Sequence, residues 1–101
     1  MNKIEIYIRK LKDVIELVAY ECDSIDAGNS SRWNKDQLKN VVYPEIHELL
    51  TYALKGKVLF KYGKQQRLLE SSYLLTDSLE KLNNTALGEK IIELQKLYNS
   101  L

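Results

Sequence analysis

The amino-acid sequence predicts an all-α protein: an antiparallel, up-down bundle of about four helices, the second broken or kinked near Pro44. Three observations carry this expectation. Apolar residues near both ends of the chain recur at alternating steps of four and three, the spacing of one stripe along a helix. Four Gly and one Pro in 101 residues are too few for a β-sandwich, which turns every ~8–12 residues. The 45% hydrophobic and 29% charged fractions, rich in Leu, Lys, Glu and Ile, suit a folded helical chain. At this length one domain, residues 1–101, is expected.

The first helix is expected over about residues 2–24. Ile4, Ile8, Leu11, Ile15, Val18, Cys22 and Ile25 form its stripe, and Tyr7, Val14 and Leu17 widen it to the face of a bundle helix. Asp26 to Ser31 then ends it, because Gly28 and Asn29 accept the left-handed conformation that stops helices. Trp33, in a polar loop, is expected to fold back over one end of the bundle, with partner binding as the rarer use of such a residue.

A second helical unit is expected over 35–55. Asn34 and Gln37 have the spacing of a capping box, and Leu38, Val41 and Val42 begin an apolar face. Pro44 suits a first helical turn and not an interior, so a break is expected near residue 43. Ile46, Leu49, Leu50, Ala53 and Leu54 continue the face, and Gly56 stops it. In 57–62, Val58, Phe60 and Tyr62 alternate with Lys57 and Lys61 as in a strand. No partner strand is apparent, and an irregular or partly helical connector is expected. The helical period returns from Lys64, with Leu68, Ser72, Leu75, Leu79 and Leu82 flanked by Leu69 and Tyr73. Asn83-Asn84 interrupts it, Thr85 caps the last helix, and Leu87, Ile91, Leu94, Tyr98 and Leu101 form the final stripe. Stripes of this kind are not stable alone in water, and short breaks favour packing of neighbours around one shared core.

Charge is segregated in one place. Net charge is +1, yet no acidic residue lies between Glu48 and Glu70, where Lys55, Lys57, Lys61, Lys64 and Arg67 crowd together with Phe60 and Tyr62. Nucleic-acid modules are commonly basic over a whole face, with a pI above ~9. Here the pI is 7.8 and both flanks of the segment are acidic. The bland alternative is a solvated turn whose cations sit at the negative end of the second helix.

Dedicated chemistry is not expected. His47 lies at the edge of an apolar face with no orienting carboxylate in register. Cys22 sits on an apolar stripe as a small hydrophobe. One His and one Cys do not make a zinc site, and Glu45 and Glu48 have a spacing common among solvent-facing helix carboxylates. The glycines at 56 and 63 lack the phosphate-loop arrangement. No catalytic, metal or cofactor site is therefore assigned. A lone cysteine, a charged N-terminus and no run of ~20 apolar residues make a cytoplasmic location the expectation.

Seven tyrosines against one Phe is the other compositional bias. Tyr7, Tyr73 and Tyr98 are expected at the rim of the core, whereas Tyr43, Tyr52 and Tyr62 fall off or at the edge of the stripes. The resulting expectation is a small non-enzymatic protein acting through protein–protein interaction, regulatory or immunity-like. Its partner surface would comprise Tyr43, Tyr52, Lys57, Phe60, Lys61, Tyr62, Lys64 and Arg67. A nucleic-acid-binding regulator using the basic segment 55–67 is the alternative, and a homodimer paired through the first helix is a third reading. In size, compartment and expected fold the chain resembles the small cytosolic helical-bundle proteins of Gram-positive bacteria, bacteriocin immunity proteins among them. The likeness is one of architecture and carries no site residue with it.

Overall fold

A 24-residue helix, α1 (Lys3–Asp26), is the frame on which the other elements are assembled. The computed structural model describes residues 2–59, 68–76 and 81–101. At ~1.5 Å per residue α1 runs about 36 Å, close to the 39 Å long axis of the molecule. Asn2 starts it by accepting a 2.9 Å hydrogen bond from the Glu5 amide. Its end is a Schellman motif: Asn29 N–H bonds to Ser24 O and Gly28 N–H to Ile25 O, both at 3.0 Å, with Gly28 at φ 86°.

After a loop the chain forms α2 (Lys35–Gln37), a π turn (Leu38–Val42) and α3 (Tyr43–Ala53). The Asn34–Gln37 capping box is present in both directions, at 2.8 and 2.9 Å. Asp26 and Lys35 pair across the loop, and the Lys35 ammonium bonded to Asp26 holds that carboxyl below its usual range. The irregularity expected near Pro44 is the π turn, which ends two residues before it. The helix is not broken, since Tyr43 N–H reaches back five residues to Leu38 O and the flanking residues keep right-handed helical angles. Widening the turn relieves the clash that the Pro44 ring would make with a carbonyl four residues back. A second Schellman arrangement ends α3, with Lys57 N–H bonded to Tyr52 O and Gly56 at φ 77°.

The remaining described elements are α4 (Glu70–Thr76), a 3₁₀ turn (Leu82–Asn84) and α5 (Ala86–Asn99). The return of helix expected from Lys64 thus needs correction: Leu68 and Leu69 precede α4, Leu82 belongs to the 3₁₀ turn, and residues 64–67 and Leu79 lie outside the described residues. Thr85 caps α5, as its hydroxyl accepts from Gly88 N–H at 3.0 Å.

The described residues contain helices and turns and no strand, and the fold is a small helical bundle. α1 packs against both α3 and α5, and α4 lies across α5 and the π turn. α1 and α5 run in opposite directions, with Lys3 against Ser100, the Tyr7 and Tyr98 rings 6.4 Å apart, and Lys10 against Glu93. Having two neighbours rotates the buried stripe of α1. Its centre is Tyr7, Leu11, Val14 and Val18, whereas Ile4, Ile8, Ile15, Cys22 and Ile25 are only half-buried. Leu38, Val42, Ile46, Leu49, Leu82, Leu87, Ile91 and Leu94 complete a core in which each fully buried large side chain contributes about 1.5–3 kcal/mol. Trp33 folds back over one end of this core, 3% exposed, its indole N–H donating to Thr85 Oγ1 at 3.0 Å.

Candidate interaction surface

Three surface regions and one buried polar cluster carry the side chains that packing alone does not account for. The first region lies where α3 ends. Tyr52 and Leu54 remain exposed, Leu54 at 61%, and the Lys55 ammonium rests 5.9 Å from the centre of the Tyr52 ring. Lys57 follows on an exposed, irregular stretch, and neither lysine pairs with a carboxylate among the described residues. Local geometry dictates this display. The Gly56 reversal directs the chain away from the helix axis just after the last buried residue, Ala53, and places two cations beside the negative pole of α3.

Tyr43 belongs to a different face. It lies two and a half turns before Tyr52 on the same helix, so the two rings leave α3 on opposite sides. Tyr43 stacks on His47 at 5.5 Å and borders a groove of about 290 Å³ between α1 and α3, lined by Ile15, Val18, Ala19, Cys22 and Lys39. His47 itself is exposed. The structure therefore brings Tyr52 and Lys57 together and separates Tyr43 from them. Phe60, Lys61, Tyr62, Lys64 and Arg67 lie outside the described residues.

The third region is a groove of about 470 Å³ between α4 and α5, walled by Leu68, Leu75 and Ile92 with Lys96 at its rim. Tyr73 is 54% exposed, outside the rim position expected for it, whereas Tyr7 and Tyr98 are buried, deeper than the rim where they were expected. Tyr20, 68% exposed on α1, was not singled out by the sequence pattern.

The buried cluster centres on Glu45. Far from facing solvent, as its spacing with Glu48 suggested, Glu45 is 2% exposed. Its carboxylate accepts from Glu70 N–H at 2.7 Å, Ser71 N–H at 2.9 Å and Ser71 Oγ at 2.7 Å. Gln95 Oε1 accepts from Leu69 N–H and Ser72 Oγ, both at 2.8 Å. Leu69, at the capping position of α4, has no side-chain acceptor, so residues from α3 and α5 supply the cap. Three donors offset the desolvation that a buried carboxylate otherwise suffers. Nearby, Tyr98 donates its hydroxyl to Leu59 O at 3.0 Å, while the Tyr7 hydroxyl is fully buried with no hydrogen-bond partner among the described residues. Burial, with Tyr98 and Glu45 adding to it, pushes the Tyr7 phenol well above the usual tyrosine range.

Among the described residues no group of three His, Cys, Asp or Glu side chains could hold a metal ion, and no helix is long and apolar enough to cross a membrane. Comparison with protein-family models, with curated proteins and with solved structures finds no match to this chain.

Proposed function

We propose that this chain is a small cytoplasmic protein that acts by binding another protein and not by catalysis, in a regulatory or immunity-like role. The end of α3 is the proposed contact surface. The observation that carries this reading is the exposure of Tyr52 and Leu54 beside two lysines without carboxylate partners among the described residues. An aromatic and an aliphatic side chain on the outside supply area to bury, and unpaired cations beside them select an acidic counterpart. The basic run continues through Lys61, Lys64 and Arg67 in the sequence, with no acid to neutralise it before Glu70.

The test is charge reversal of Lys57, Lys61 and Lys64 to Glu in one chain. The variant is expected to keep its helical circular dichroism and lose the proteins that the parent captures, as measured by affinity purification with quantitative mass spectrometry. Capture unchanged by the three substitutions would refute the assignment of this surface.

A further inference from the structure

Helix α4 is attached to the bundle in a way the other helices are not. Of its seven residues, the two that are fully buried are both serines, Ser71 and Ser72. Its leucines 74 and 75 are half-buried, and Tyr73 points outward. By contrast α1 and α5 bury stripes of apolar and aromatic side chains. Leu74 and Leu75 pack in part against the core, and what fastens the first turn of α4 is the set of hydrogen bonds to two side chains, Glu45 on α3 and Gln95 on α5. Leu69, just ahead of the helix, is its fully buried apolar anchor.

This difference has a physical consequence. Apolar burial is spread over many atoms and fails only when the core fails, whereas a hydrogen-bonded latch exchanges readily for bonds to water. We infer that α4 is a releasable element, latched by the Glu45 carboxylate and the Gln95 amide oxygen, which opens as a unit while α1, α3 and α5 remain packed. Opening uncovers the surfaces on which α4 rests, namely the π turn, the 3₁₀ turn and the adjoining face of α5. The fold thus contains a local two-state element distinct from the fixed surface at the end of α3.

Hydrogen exchange followed by mass spectrometry on the full chain tests this. In the parent, amides of residues 69–73 are expected to exchange through local opening, at least tenfold faster than the central amides of α1 and α5. Glu45→Gln keeps the size of the side chain but turns one acceptor into a donor facing an N–H. It should speed exchange in residues 69–73 by a further tenfold or more, leaving α1 and α5 unchanged. Ser72→Ala removes only the bond to Gln95 Oε1 and should act in the same stretch, more weakly. Equal protection of residues 69–73 and α1 in the parent would overturn the proposal. So would acceleration by Ser72→Ala spread evenly over all helices. Should Glu45→Gln unfold the chain, the parent and Ser72→Ala profiles decide alone.

Discussion

Gly88→Ala inverts the ordinary rule for a helix interior. In an exposed helix, Gly to Ala stabilises by about 0.5–1 kcal/mol, because alanine has less freedom to lose. Gly88 is buried in the first turn of α5, and a methyl carbon there would lie 1.9 Å from Leu82 O, 2.8 Å from Leu82 C and 3.0 Å from the Asn83 Cα. Every one of these atoms is backbone, so no rotamer change relieves the contact. Reaching even 3.0 Å from Leu82 O requires a movement of 1.1 Å. That shift displaces the 3₁₀ turn, which carries fully buried Leu82 and leads directly into the Thr85 cap. A backbone clash this close belongs at the upper end of the ~1–3 kcal/mol that overpacking costs, and after the ~0.5–1 kcal/mol gain in propensity the expected net loss is about 2 kcal/mol. In a domain of about 100 residues this lowers Tm by about 8–16 °C. Urea and thermal unfolding followed by circular dichroism measure it. Gly28→Ala is the internal comparison: its surroundings are open, and only the positive φ is strained, at about 1 kcal/mol. A Gly88→Ala protein as stable as the parent, or more stable than Gly28→Ala, would refute the close approach of the turn to α5.

Thr85→Ala removes the acceptor for both the Gly88 amide and the Trp33 indole, and should cost about 2 kcal/mol with a red-shifted emission of Trp33, the sole tryptophan. Fluorescence-detected urea unfolding reads both effects. Tyr7→Phe deletes a buried hydroxyl with no partner among the described residues, so equilibrium unfolding should show a change between zero and a gain of about 1 kcal/mol. A loss above 1 kcal/mol would show that the hydroxyl is satisfied. The same phenol gives a pH dependence. Its folded-state pKa is raised, so the native state holds the proton more tightly, and its contribution is fully present below the unfolded value of about 10. Stability should decline as pH rises above that value, and less steeply in Tyr7→Phe.

The parts of this fold legible in the sequence are those whose causes are local. The extent of α1, the stripe of α5, the Asn34–Gln37 box, the Thr85 cap and the reversals at Gly28 and Gly56 all act within a few residues of themselves, whereas the rotation of the α1 stripe toward two neighbours does not. The missed features are tertiary. Glu45 lies in register with Leu38, Val42 and Leu49 at steps of four, three and four, so its burial was signalled, but a carboxylate at that position has a use only once α4 brings its amides there. The pair Ser71-Ser72 is the counterpart of that signal. Tyr73, expected at the rim of the core beside the Leu68–Ser72–Leu75 stripe, faces out because Ser71 and Ser72 are the residues turned inward. Gly88 gives only the weak hint of a glycine within a helix, since the backbone that crowds it comes from a preceding turn. Of the residues in the proposed contact surface, Tyr52 and Lys57 meet at the end of α3 through the Lys57 N–H bond to Tyr52 O, but the opposed direction of Tyr43 follows from helix phase that the tyrosine count ignores.

The position of α1 between α3 and α5 also sets a timetable for folding. Joining α1 to α3 closes only the short loop between residues 26 and 35, whereas the Lys3–Ser100 contact joins positions 97 apart. The difference in chain-closure entropy is about 2 kcal/mol, so the N-terminal hairpin is favoured first. During synthesis one flank of the α1 stripe, Tyr7 included, waits uncovered until residues 86–99 have left the ribosome. For that interval the nascent chain presents an apolar face that the finished protein hides, and it is there that a chaperone would find its substrate.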